Sequence, residues 1–106
     1  MNRVEINRSA KADILRVASY YESAKEGLGD KFLDRVQELI DRIALNPGGY
    51  AKVIGEARKA ELRQFPYSLW FKVEAHVLVI GCLHHRRDKV LARERAFGVF
   101  PMPDPK

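Results

Sequence analysis

The stretch ARKAELRQFPYSLWFKVEAHVLVIGCLHHRRD, Ala57 to Asp88, decides how this chain folds. Leu69, Phe71 and Val73 alternate with Ser68, Trp70, Lys72 and Glu74, the period of a half-buried strand. Residues 77–83 are apolar on both faces and carry β-branched Val77, Val79 and Ile80, which suits a central strand. The Glu74-Ala75-His76 connection is short, so these two strands form an antiparallel hairpin. Residues 57–65 read as a preceding strand with Lys59, Glu61 and Arg63 on a polar face. Pro66 has no N–H to give a ladder, so it marks a turn or bulge. Basic residues therefore gather at strand ends, where a sheet holds them rigidly.

Upstream, the pattern changes period. Val4 and Ile6 alternate with Glu5 and Asn7 as a short first strand. Ser9 is the expected N-cap of a helix, with Asp13 near its positive end. Ile14, Val17, Ala18 and Tyr21 then share one helical face. Glycine at 27 or 29 is expected to stop that helix. Asp30 restarts a second one, with Phe32, Val36, Leu39, Ile40 and Ile43 as its stripe. Asn46-Pro47 ends it, because a residue before proline avoids the α region. Two helices joined so closely pack antiparallel. The implied class is α+β, in the order β-α-α-β-β-β. A helix hairpin lies on one face of a mainly antiparallel sheet, and a short helical segment follows Asp88. The opposite sheet face is expected to be concave. Residues 1–98 are expected to form a single domain, with 99–106 as a flexible proline-rich tail.

The chain has 106 residues, of which 46% are hydrophobic. That supports one core, and no apolar run approaches the roughly 20 residues of a membrane span. No secretory signal is visible at the N-terminus. Cys82 is the only cysteine, so an internal disulfide is excluded, in keeping with a cytoplasmic protein. Residues 1–56 carry nine Lys/Arg and nine Asp/Glu, whereas residues 57–106 carry ten against five. The whole excess of +5 lies in the strand half, which points to an acidic partner or to ordinary solvated charge.

Three groups of residues are candidates for chemistry. Arg63 offers a planar fork for phosphate or carboxylate, or else pairs with Glu61 or Glu74. His84 and His85 are adjacent on a strand and so point to opposite faces. That geometry prevents them from chelating one metal, and no metal site or cofactor is expected. A histidine facing the concave side suits general acid–base work, and one bonded to backbone is structural. In Arg86-Arg87-Asp88, the aspartate pairs with an arginine or caps the next turn, leaving the other arginine for a ligand or for fixing the C-terminal segment.

Taken together, the basic run at 57–60, Leu62 to Tyr67, and His84 to Asp88 resemble toxins of the RelE/ParE superfamily of type II toxin–antitoxin systems. Tyr20-Tyr21, Leu28-Gly29 and Asn46-Pro47 add to the resemblance, which spans residues 2 to 90. Nuclease members of this superfamily typically place a tyrosine late in the chain. Here the tyrosines stop at Tyr67. The resemblance is therefore to ParE-like members, which implies an inhibitor of DNA gyrase rather than an enzyme. Two alternatives stay open. One is a ribosome-dependent mRNA endoribonuclease using Arg63, His85 and Arg86. The other is a silent member that acts only as an antitoxin-binding corepressor. The resemblance further implies a cognate antitoxin as partner, with operator DNA reached only through it. Leu15, Leu28, Leu33 and Leu45 fall off the main apolar stripes and are the expected antitoxin surface. Arg86, Arg87, Arg93 and Arg95 are the expected target surface.

Overall fold

The computed structural model describes residues 1–85 together with Ala92, Arg93, Arg95 and Ala96. The elements are β1 (Val4–Ile6), α1 (Arg8–Ala24), α2 (Leu28–Leu45), a 3-10 turn (Pro47–Gly49), β2 (Lys52–Ile54), β3 (Ala57–Glu61), β4 (Tyr67–Val73) and β5 (Val77–His84). The four described residues beyond His85 are helical. Strand order is β1-β5-β4-β3-β2. Only β1 and β5 run parallel, with Val4 opposite Val77. The α+β architecture follows the expected pattern, with a fifth strand added. The added strand, β2, has only three residues, too few to show a period in the sequence. The Arg86-Arg87-Asp88 motif and the proline-rich tail lie outside the described residues.

The helix hairpin forms as its apolar spacing dictates, but its ends differ from the sequence reading. The N-cap is Asn7 rather than Ser9, its Oδ1 accepting the Ala10 N–H at 2.8 Å. Asn7 precedes the helix in extended conformation, where a short acceptor side chain reaches the free N–H groups. Between the helices, Gly29 lies so close to α1 that a Cβ there would sit 2.6 Å from the Ala18 carbonyl oxygen. The first turn of α2 is satisfied from outside the helix. Glu22 of α1 accepts the N–H groups of Gly27 and Gly29, each at 2.9 Å. Those bonds hold its carboxyl below the usual value near 4.5.

One face of the sheet meets the helices. Ile14, Val17, Phe32, Val36, Leu39 and Ile43 pack on Ala60, Leu69, Phe71, Val77, Val79 and Cys82. The burial of each large side chain of this kind contributes about 1.5–3 kcal/mol. A second cluster, Ala57, Trp70, Ile80, Leu83, Ala92 and Ala96, lies on the opposite face. That face is therefore partly covered by the C-terminal helical residues rather than fully open.

A bulge in β5 sets the side-chain directions. Trp70 is paired with Gly81 and Phe71 with Val79, so Ile80 is an extra residue. Val79 and Cys82 consequently both face the helices, while Ile80 and Leu83 both face away. An inserted residue of this kind reverses the alternation beyond it.

β1 pairs with β5 only as far as Val79, leaving the next edge groups of β5 bare. Asp13, 2% exposed, fills this place. Its Oδ2 accepts the Cys82 N–H at 3.0 Å and an N–H from Nη1 of Arg95. The same Nη1 donates to the Ile80 carbonyl at 3.2 Å. A Cβ at Gly81 would stand 2.9 Å from that nitrogen, so glycine clears the path. Burial, and then the Asp13 charge, push the Cys82 thiol up to about 12, which keeps it protonated.

Three outcomes follow. Asp13→Ala strands the Arg95 guanidinium and the Cys82 N–H, and should cost about 3–5 kcal/mol in urea unfolding. Arg93 is exposed, so Arg93→Ala should cost under about 1 kcal/mol. The Glu22 contribution is complete above the ordinary glutamate range and disappears as pH falls through its lowered folded value. The Tm gap between wild type and Glu22→Gln should be open at pH 7 and narrow as pH falls below the ordinary glutamate range through the lowered folded value.

Candidate functional site

Two concavities lined by described residues lie near the ends of β4 and β5, one on each face of the sheet. The first, about 270 Å³, lies on the face away from the helices and is lined by Val53, Ile54, Lys59, Ser68, Trp70, His84 and His85. Strand alternation puts its key side chains together. Lys59 is opposite Trp70 in the β3–β4 ladder, and its ammonium lies 5.7 Å from the indole centroid. Such placement over an aromatic face is favourable for a cation. Ser68 precedes Trp70 by two residues and shares its face. His85 is held at the strand end by its N–H to the Pro66 carbonyl, at 2.9 Å. Among the described residues, the Ser68 hydroxyl and His85 Nε2 are buried and have no hydrogen-bond partner.

The second concavity, about 540 Å³, lies on the helix side and is lined by Arg16, Val17, Tyr20, Tyr21, Pro66, Tyr67 and His84. Its wall is an aromatic stack. Tyr21 meets Phe65 edge-on at 4.9 Å, Phe65 meets Phe32 at 5.2 Å, and Tyr67 meets His84 at 5.2 Å. Burial, then the Tyr67 and Tyr20 phenols, raise the Tyr21 pKa and keep its hydroxyl neutral. Arg16 is anchored here through Asp13 at 3.2 Å.

The candidates from sequence separate. His84, the last residue of β5, lines both concavities, whereas His85, just past the strand end, lines only the first. Arg63 does not sit on a strand. β3 ends at Glu61, and residues 62–66 form a loop in which Gln64 adopts φ 71° and accepts from Arg35 Nε at 2.8 Å. Arg63 is exposed there, lines neither concavity, and forms no ion pair with Glu61 or Glu74. Arg63 and His85 are thus not brought into one cleft, and Arg86 lies outside the described residues, as does Arg87. Arg95, expected to be an exposed charge, has only 19% of its side chain exposed and is committed to Asp13. Arg93 is exposed. Of the four leucines, Leu15 (59%), Leu33 (36%) and Leu45 (67%) are exposed, whereas Leu28 packs partly against the core. The described residues contain no group of three His, Cys, Asp or Glu able to hold a metal ion. They contain no helix long and apolar enough to cross a membrane.

The sequence reading missed Lys59, Ser68 and Trp70 as a group, and Arg16 with Tyr67. For the first set a signal existed, since Ser68 and Trp70 share the parity of the polar strand face. For the second there was none, because the helix and the strands meet only in the folded chain.

Comparison with known proteins agrees with this architecture. A search of curated proteins finds no match. Among solved structures, a chain from "Chromosomal ParDE TA system from P. aeruginosa" superposes with a TM-score of 0.61 at 19% identity, over 79% of this chain and 96% of that one. At that identity the likeness speaks for the fold. The family described as ParE toxin of the type II toxin–antitoxin system parDE matches residues 4–89, the span that holds the whole sheet and both helices. The chain belongs to the ParE toxin family.

Proposed function

We propose that this toxin inhibits growth by acting on DNA gyrase in the cytoplasm and is neutralised by a cognate antitoxin. The observation that carries the reading is the family match across residues 4–89. The layout of the side chains supports inhibition by binding over cleavage of mRNA. In-line cleavage needs a base, an acid and charge neutralisation at one phosphate. Arg63 lines neither concavity, whereas His85 lines the first, so the two share no cleft. Tyr67, the last tyrosine, belongs to the groove on the helix side.

The antitoxin has an apolar surface available on the outer faces of the hairpin. Leu15, Leu33 and Leu45 are exposed there, at positions where a helix or extended segment can lie across both helices. The net charge of +5 favours an acidic segment. Operator DNA is reached only through the antitoxin. For the target surface, Arg93 is the described candidate, with Arg86 and Arg87 added from sequence. Arg95 serves the fold instead.

The direct test is supercoiling by purified gyrase with and without the chain, alongside primer extension on translated messages after induction. Inhibited supercoiling with intact messages is the expected result. Codon-phased cuts lost on His85→Ala or Arg63→Ala would establish a ribonuclease. Unchanged growth, supercoiling and messages would leave a silent antitoxin-binding member. Arg93→Ala should weaken growth inhibition while leaving the Tm nearly unchanged. If Arg93→Ala remains fully toxic, the effector surface lies elsewhere. Leu15→Asp combined with Leu33→Asp should weaken antitoxin binding in calorimetry by at least about tenfold, with toxicity retained.

A further inference from the structure

The cleft on the face away from the helices has features that the toxin reading does not use. Among the described residues, its lining combines the Lys59 cation, two buried polar atoms without partners, and an apolar wall of Trp70, Ile54 and Val53. Leaving a buried donor or acceptor unsatisfied costs free energy, and native proteins seldom tolerate it without a reason. Two such atoms in a single cleft beside an ammonium are therefore informative. Among the described residues, no carboxylate lines the cleft. Glu61 is paired with Ser68 across the ladder, but it is exposed and stands outside the lining. Lys59 donates, and the Ser68 hydroxyl and His85 Nε2 can donate, so the set matches an oxyanion. The volume of about 270 Å³ is at the small end for ligand pockets.

We propose that this cleft is a binding site for a small organic oxyanion. The ligand is a phosphate monoester or carboxylate whose head is held by Lys59, Ser68 and His85, with a flat apolar body against Trp70. The role is binding, and no bond is made or broken. The site stands independently of any action on gyrase.

Trp70 is the only tryptophan of the chain, so its emission reports directly on the cleft. Purified chain, excited selectively at tryptophan, is titrated with phenyl phosphate, benzoate, inorganic phosphate and benzyl alcohol. A saturable change is expected with phenyl phosphate or benzoate, a weaker one with inorganic phosphate and none with the alcohol. The stronger of the first two identifies the head group. Ser68→Ala removes an unpartnered hydroxyl while keeping its Cβ, so its Tm should hold or rise. Its affinity should nevertheless fall about tenfold or more, as should that of Lys59→Met. The absence of saturation with all three anions overturns the proposal. So does unchanged affinity in Ser68→Ala, which would leave the buried hydroxyl as a packing feature alone.

Discussion

The fold depends on how the edge of β5 is closed beyond Val79. A central strand needs partners on both sides, and β1 supplies only three residues before the chain turns into α1. Past that point, an N–H and a carbonyl would face a low-dielectric interior with nothing to bond. The carboxylate of Asp13 takes the N–H of Cys82, and the guanidinium of Arg95 takes the carbonyl of Ile80. The two charges also neutralise each other. One ion pair thus extends the sheet by side chains where no backbone is available, and it ties α1, β5 and the C-terminal helical residues to one point. The buried charges are there because backbone demands them, which is a different reason from a pair added for stability alone.

The bulge at Ile80 belongs to the same device. It shifts β5 by one residue, so that Cys82 turns toward Asp13 while Ile80 and Leu83 meet Ala92 and Ala96 on the other side. Glycine at 81 leaves room for the arginine to come round the edge. The two faces then have separate characters. The helix side is an aromatic stack opening to a groove with Arg16 and His84. The far side is a small cleft with Lys59 over Trp70.

Much of the architecture was legible in the sequence because it rests on period. The stripes of Ile14, Val17 and Ala18, and of Phe32, Val36, Leu39 and Ile43, are the residues that are buried. The alternation of residues 68 to 73 gave β4, and the apolar run after His76 gave the central strand. What could not be read rests on contacts between distant residues. Asp13 looks like an ordinary acidic residue near a helix start until β5 lies beside it. Arg95 looks like one exposed charge in a basic run until its partner is known. Arg63 was misplaced because strand character continues past Glu61 in composition, whereas Gln64 in the left-handed region breaks it in fact. The candidate site was legible only in fragments. His85 was visible, but its neighbours Lys59 and Ser68 carry no motif, and their meeting depends on ladder register.

The parallel pairing of β1 with β5 has a consequence for the making of the molecule. Val4 finds its partner in Val77, and Asp13 finds Arg95. A ribosome that has released the helix hairpin has therefore released an amphipathic object with neither its sheet nor its ion pair. The first strand must wait, unpaired, for the last one to emerge, since long-range contacts cannot form before both partners exist. Synthesis interrupted before β5 yields a chain in which β2, β3 and β4 can still pair, but which lacks the strand that joins them to β1. In such a fragment β1 has no neighbour in the sheet, and Asp13 lacks both the Cys82 N–H and Arg95.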